Sequence, residues 1–207
     1  LHDPQGLINL MGGRENYVRK MDQIFTSDPS SDYSYYGFKI HEILEMEIGG
    51  MGQYAHGNQP VQHAIYLYNY AQEPWKTQEK VRYVMDNLYG SGADGYCGDE
   101  DNGQTSAWFV FSSLGFYPVA PVTGQYIIGS PLFKEVTIEL SNGKELKINA
   151  KNNSAKNIFI NYFKFNELES NKNWLDHADL RKGGVIDFEM SSTPNLNWGS
   201  DKNSVPY

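Results

Sequence analysis

Apolar residues recur every three to four positions through the first half of the chain, the spacing that places them on one face of an α-helix. Leu7, Leu10 and Met11 follow this spacing near the start. The pattern predicts a short segment at 38–48 and amphipathic helices over residues 14–25, 59–71, 75–89 and 103–114. Gly-rich loops with acidic residues join these short helices, which suggests paired helices as in an α/α barrel.

The pattern changes to alternation of apolar and polar residues after Tyr117-Pro118. EVTIEL and KELKINA both alternate, and the SNGK between them carries the Asn-Gly pair of a hairpin turn. NIFINYFKF and GVIDFEM are two further predicted strands. The sequence therefore predicts an α-then-β fold, with barrel helices over 1–117 and a β-sandwich-like module over 118–207.

The composition is that of a folded chain with a packed core. Hydrophobic residues make up 40% of the 207 residues and charged residues 20%, unlike a disordered sequence. The net charge of -8 and the lack of a basic cluster argue against a nucleic-acid partner. The aromatic share of 14% suits a sugar-binding site and a β-sandwich core equally well.

Cysteine content and the chain start add two constraints. The single cysteine, Cys97, excludes an intrachain disulfide and a thiolate zinc cluster. No apolar run approaches the roughly 18 residues of a membrane-spanning helix. The opening LHDPQGLINLMGG lies within patterned sequence and lacks a signal peptide and an initiator Met. We therefore expect a fragment of something longer.

The stretch GDEDNGQTSAWFVF sets Asp99, Glu100 and Asp101 directly before an apolar helix. In an extended loop, alternation would turn Asp99 and Asp101 to one side and Glu100 to the other. Two converging carboxylates suit the binding of a hard cation or the activation of a water molecule. An acidic helix start, favoured by the helix dipole, explains the same residues without a site. Spacing alone favours the helix start.

A second candidate loop, HGNQP, opens the predicted helix at 59–71. Asn58 and Gln59 carry amide oxygens suited to calcium, but Asn58 could equally be the helix N-cap. His41 and Glu42 are typical polar residues of a helix surface. Structural roles, in the core or a groove wall, are predicted for His63, His177, Trp75, Trp108, Tyr66, Tyr68 and Tyr70.

The sequence lacks the motifs of several other catalytic classes. It has no Gly-rich phosphate loop of the right form and no Gly-x-Ser-x-Gly elbow. His41-Glu42 is not followed by the second histidine of zinc peptidases, and the acidic loop lacks EF-hand spacing. The sequence therefore favours carboxylate chemistry over a Ser or Cys nucleophile.

Several linked motifs resemble glycoside hydrolase family 92, whose members are calcium-dependent, inverting exo-α-mannosidases. They are HDPQGLINLMGG, HGNQPVQHAIYLYNYAQEPWKTQEKVRYVM, GDEDNGQTSAWFVFSSLGFYPVAP and YIIGSPLF, in the family's order. The likeness covers essentially the whole chain. Family members are far longer, with an N-terminal β-sandwich, an (α/α)6 barrel and closing β structure. The resemblance implies that this chain is the C-terminal part, with the last barrel helices and a terminal β module.

The resemblance also implies roles for residues of the two loops. Asp101 would be the general base that activates the attacking water, and Asp99 would help to hold that water. Asn58 and Gln59 lie in the loop similar to the family's calcium-binding region, so Ca²⁺ is the implied cofactor. The calcium would hold mannose hydroxyls and favour a distorted ring.

His41 and Glu42 match a His-Glu pair that contacts the leaving-group sugar in α-1,2-mannosidases, so α-1,2 linkages are the expected substrate. The family's general acid is a Glu upstream of the first residue, and we expect an inactive isolated chain. Mannose-containing glycans and the N-terminal part of the same polypeptide are the implied partners. The parent is expected to be secreted, periplasmic or at the surface of a bacterium.

Two alternatives remain open at this stage. One is a non-catalytic carbohydrate-binding or interaction module that uses the aromatic surface and the β-sandwich. The other is an acidic scaffold that calcium stabilises. Half a barrel would expose apolar helix faces that the missing helices normally cover, so we expect the isolated chain to self-associate.

Overall fold

The computed structural model describes residues 2–207 as an α+β fold. The α-helices are α1 (Pro4–Leu10), α2 (Arg14–Thr26), α3 (His41–Gly49), α4 (Pro74–Asn87), α5 (Gln104–Leu114) and α6 (His177–Leu180). Shorter 3-10 turns span Gln59–Val61, Ala64–Tyr66 and Pro121–Thr123. The strands are β1 (Phe116–Tyr117), β2 (Gln125–Ile128), β3 (Glu135–Glu139), β4 (Glu145–Lys151), β5 (Phe159–Phe165), β6 (Leu168–Glu169), β7 (Trp174–Asp176) and β8 (Gly184–Ser191).

Local sequence signals set the ends of several helices. The Asp3 carboxylate accepts a hydrogen bond from the amide of Gly6 at 2.7 Å, and Pro4 occupies the first helical position of α1. At the other end of the helical region, α5 lies between Gly103 and Gly115, whose φ angles are 95° and 101°. Glycine adopts these left-handed conformations without the Cβ penalty of other residues.

The helices predicted over 14–25, 75–89 and 103–114 are observed, with small shifts, as α2, α4 and α5. The helix predicted over 59–71 is wrong. The chain there forms turns whose hydrogen bonds span three residues, such as the 3.0 Å bond from the Tyr66 amide to the His63 carbonyl. Residues 65–71 are all buried, so this segment has no solvent-facing side. Tertiary partners on several sides override the helical pattern.

The β region contains two sheets. β1, β2 and β7 form an antiparallel three-stranded sheet in the order β1-β2-β7. The larger sheet has the order β3-β4-β8-β5-β6. The predicted hairpin is observed between β3 and β4, with Val136 opposite Ile148. β8 then pairs in parallel with β4 and antiparallel with β5, so the larger sheet is mixed.

The three-stranded sheet separates two hydrophobic cores. Phe116 and Ile128 pack into the core of the larger sheet, whereas their neighbours Tyr117 and Ile127 pack into the helical core. Successive side chains of a strand point to opposite faces, so one thin sheet can close both cores. The predicted α-then-β class is confirmed, and the division at residues 117 and 118 stays a prediction.

Some large apolar side chains lie on the outer surface of the helical region. Leu10 on α1 is 88% exposed and Ile48 on α3 is 82% exposed. Such residues are costly to leave in water when they cluster. Self-association of the isolated chain through these faces stays a prediction. Among residues 2–207, no helix is both long enough and apolar enough to span a membrane.

Candidate active site

The acidic loop that begins at Gly98 is not extended. The φ angles of Asp101, Asn102 and Gly103 are 51°, 57° and 95°, so the chain makes a left-handed turn before α5. The extended backbone on which the predicted alternation of Asp99 and Asp101 depended is therefore not observed. Asp and Asn tolerate this conformation better than most residues, at a cost on the order of 1–3 kcal/mol each. Backbone strain of this kind is concentrated at functional sites.

Glu100 provides the helix start that the acidic sequence suggested. Its carboxylate accepts hydrogen bonds from the Gly103 amide at 2.7 Å and from the Ser106 hydroxyl at 2.6 Å. The bond from Ser106 contributes most, and together the two bonds hold the pKa of Glu100 below its usual value. Glu100 thus caps α5, and Asp99 and Asp101 on either side of it are exposed.

Helix α3 brings a second set of polar residues next to this loop. The His41 ring contacts Glu45 through Nδ1 at 3.1 Å and Glu42 through Nε2 at 3.3 Å. The hydrogen bond to Glu45 raises the pKa of His41, and the negative charges of Glu42 and Asp99 raise it further. The structure therefore brings His41 within electrostatic range of Asp99, across a separation of more than fifty positions.

Glu45 lies in this site although the sequence reasoning did not select it. Its carboxylate is located where the backbones of Gly57 and Gly98 cross: a Cβ added to Gly98 would lie 2.6 Å from Glu45 Oε1 and 2.6 Å from the Gly57 Cα. Burial raises the pKa of Glu45, and the bond to His41 opposes the shift. Its position four residues after His41 on one helix face could have identified it.

The side chains of Asn58 and Gln59 carry amide oxygens, a type of ligand atom that hard cations prefer. Asn58 occupies the N-cap position of the 3-10 turn Gln59–Val61, but its side chain makes no capping bond to the described residues. Gln59 Nε2 donates to the Asp99 carbonyl at 2.7 Å and to Thr105 at 3.1 Å, which uses both amide hydrogens and leaves Oε1 as an acceptor. Glu45 Oε2 is buried and has no hydrogen-bond partner within residues 2–207.

Between residues 2 and 207, no group of three or more His, Cys, Asp and Glu side chains is arranged so that it could hold a metal ion by itself. A cation in this region would therefore depend on amide and backbone oxygens together with one or two carboxylates. Calcium prefers such oxygen-rich sets, whereas zinc prefers nitrogen and sulfur ligands. The donors around Asn58 thus fit calcium better than zinc.

A buried aromatic cluster supports both loops from below. His56 contacts the hydroxyls of Tyr54 and Tyr89 at 2.8 Å each, and its ring centroid lies 4.3 Å from that of Trp108. Burial lowers the pKa of His56 to about 3, so this ring is neutral at physiological pH. Trp108 is fully buried, as predicted. These residues pack together beneath the candidate site.

Comparison with known proteins identifies related sequences and structures. Residues 1–192 match the family model described as the glycosyl hydrolase family 92 catalytic domain. A family GH92 inverting mannosidase from Bacteroides thetaiotaomicron VPI-5482 is 53% identical, with a TM-score of 0.85 over 100% of this chain and 28% of that one. A family GH92 α-mannosidase from Bacteroides thetaiotaomicron in complex with mannoimidazole is 38% identical, with a TM-score of 0.89 over 100% of this chain and 26% of that one.

A curated relative gives the same picture at lower identity. An uncharacterized secreted glycosidase from Arthroderma benhamiae is 27% identical over 99% of this chain and 24% of that protein. The chain therefore spans about a quarter of the length of the relatives it matches.

Proposed function

Because the chain belongs to glycoside hydrolase family 92, we propose that it forms the base side of an α-mannosidase active site. The full-length protein is then a calcium-dependent, inverting exo-α-mannosidase that acts on mannose-containing glycans such as N-glycans, with α-1,2 linkages preferred. The observation that carries the proposal is the arrangement of the acidic loop. Glu100 caps α5, which leaves the exposed side chains of Asp99 and Asp101 available for chemistry, and the charge of Asp99 acts on His41.

In the proposed reaction, Asp101 is the general base. It takes a proton from a water molecule while that water attacks the anomeric carbon on the face opposite the leaving oxygen. Asp99 holds the same water, and a carboxylic acid outside these 207 residues protonates the leaving oxygen. An inverting enzyme separates its acid and base by about 6.5–9.5 Å, which leaves room for this water. The product is β-mannose.

In this proposal, residues of α3 bind the leaving-group sugar. His41 and Glu42 begin α3, Asp99 lies within electrostatic range of His41, and Glu45 holds the His41 ring through Nδ1 at 3.1 Å. Because Nδ1 is held by Glu45, Nε2 is the ring nitrogen that would donate to a sugar hydroxyl, in place of its 3.3 Å contact with Glu42. Since this contact involves only the second sugar, it would select the linkage without taking part in the proton transfers.

Asn58 and Gln59 would hold the calcium ion, and the buried free oxygen of Glu45 supports a cation nearby. When bound, calcium would stabilise a distorted mannose ring through its hydroxyls, an effect that grows towards the oxocarbenium-like transition state. Gln59 has a second role that the structure supports directly. Its amide nitrogen fixes the Asp99 carbonyl at 2.7 Å and so orders the acidic loop.

We further propose that α1 to α5 are part of an (α/α)6 barrel that the remainder of the full-length protein completes. The exposed Leu10 and Ile48 would then be covered by other barrel helices. We also propose that the full-length protein is secreted, periplasmic or at the cell surface of a bacterium. The name of the fungal relative, a secreted glycosidase, supports an exported enzyme.

Mannose release from α-1,2-mannobiose by the full-length protein tests the proposal. Asp101→Asn should lower kcat by about 10²–10⁴-fold, the usual contribution of a general base. Glu100→Gln is the matched control, because it removes one charge from the same loop but from the capping side; it should retain most of the activity. A chelator should abolish turnover, and proton NMR should detect β-mannose first.

Two results would contradict parts of this proposal. Unchanged turnover in Asp101→Asn would contradict the assignment of Asp101 as the general base. Sugar binding without turnover in the wild-type full-length protein would favour a non-catalytic carbohydrate-binding module.

A further inference from the structure

The hydroxyl of Thr105 is fully used by hydrogen bonds inside the described chain. It donates to the carbonyl oxygen of Asp99 at 3.0 Å and accepts from the amide nitrogens of Gln59 at 3.1 Å and Gln62 at 3.3 Å. A hydroxyl has one donor position and two acceptor positions, so none remains for a ligand. Thr105 is also fully buried. Any functional effect of this residue must therefore act through its three partners.

Three segments of the candidate site meet at this hydroxyl. Asp99 belongs to the acidic loop, Gln59 and Gln62 to the first 3-10 turn and its end, and Thr105 itself to the first turn of α5. Gln59 also donates directly to the Asp99 carbonyl at 2.7 Å, which closes a triangle of hydrogen bonds. The orientation of the Gln59 amide and the position of the acidic loop are therefore fixed by one arrangement.

We propose that Thr105 is a positioning residue that couples calcium binding, through Gln59, to water activation, through the Asp99 loop. The inference rests on the proposed function of these two loops. Without the hydroxyl, the Gln59 amide loses one of the two acceptors that hold its oxygen in place. The Asp99 carbonyl loses one of its two donors at the same time. Calcium affinity and kcat should then fall together, although Thr105 touches neither calcium nor sugar.

Thr105→Val is the informative variant, because valine keeps the branched shape and removes the hydroxyl. Thr105→Ser restores the hydroxyl and should rescue both properties. Thr77→Val is the matched control. Thr77 lies on α4 and is also fully buried, and its hydroxyl donates a hydrogen bond to the Ile65 carbonyl at 2.8 Å. This substitution removes a buried hydroxyl and its one hydrogen bond to the described residues, at a position outside the candidate site.

The experiment uses the full-length protein and three measurements on each variant. Calcium affinity is measured by titration calorimetry without sugar, kcat and KM with α-1,2-mannobiose at saturating calcium, and the melting temperature by calorimetry. We expect Thr105→Val to lower the calcium affinity about tenfold or more and to lower kcat by a similar factor. Substitutions of residues that hydrogen-bond to metal ligands typically have effects of this size. KM should change less than kcat. Thr77→Val should lower only the melting temperature.

Three outcomes in the variants would overturn the inference. One is wild-type calcium affinity and kcat in Thr105→Val; another is the same losses in Thr77→Val, which would indicate a general effect of stability. The third is a failure of Thr105→Ser to rescue. If Thr105→Val does not fold, Thr105→Cys, with its weaker hydrogen bonds, should show smaller losses of both properties, and wild-type values there would count against the coupling.

Failure of the proposed function gives a different result. In that case the wild-type protein would bind calcium, with Thr105→Val impairing the binding, but would release no mannose. A wild-type protein that binds no calcium would overturn the coupling itself.

Discussion

Protonation of His56 should decide how the stability of this protein depends on pH. Burial lowers the pKa of His56 from its ordinary value of 6.5 to about 3 in the folded state. Because the unfolded chain takes up the proton first, the stabilising effect is complete above pH 6.5 and is lost as the pH falls towards 3. A difference of about 3.5 pKa units corresponds to roughly 5 kcal/mol in total, of which about 2 kcal/mol is lost at pH 5.

Urea unfolding between pH 5 and 7.5, followed by tryptophan fluorescence, measures this effect in the full-length protein. His56→Gln keeps a polar side chain that cannot be protonated, so its free energy of unfolding should depend less on pH. The difference between wild type and variant should narrow by about 2 kcal/mol from pH 7.5 to pH 5.

His41→Gln provides a control of opposite sign. The pKa of His41 is raised in the folded state, first by its hydrogen bond to Glu45. Its stabilising effect is present below pH 6.5 and is lost as the pH rises through the folded pKa. Parallel pH curves for wild type and His56→Gln would refute the argument from burial.

Two further substitutions test contacts that hold the site and the fold together. Gly98→Ala should lower mannoside turnover by about 10²-fold, because the added Cβ would lie 2.6 Å from the Gly57 Cα. Gly49→Ala, where the nearest atom is 3.8 Å away, should retain activity, and equal activities of the two variants would contradict this. Arg82→Met should lower the unfolding free energy by about 2–4 kcal/mol, because buried acceptors such as Asn153 Oδ1, at 2.9 Å, lose their donor. An unchanged urea midpoint would show that Arg82 contributes little.

Patterns of hydrophobic residues predicted those elements that bury one face. α2, α4 and α5 follow the helical period, and the Asn-Gly turn between β3 and β4 fixes a hairpin locally. The same reasoning failed at 59–71, where every residue from 65 to 71 is buried. A segment surrounded by the core has no polar face to mark its period, so its conformation depends on partners distant in sequence.

The sequence by itself determined which residues could carry the chemistry: two aspartates around a glutamate, a His-Glu pair and an amide-rich loop, all within motifs of one family. It did not determine which acidic residue caps the helix, because that choice depends on the left-handed turn at Asp101. It also did not reveal Glu45 between Gly57 and Gly98, or the hydroxyl of Thr105 between two loops. Local sequence specifies chemical groups and helical periods, whereas contacts between segments forty or more positions apart exist only after the chain has folded and packed.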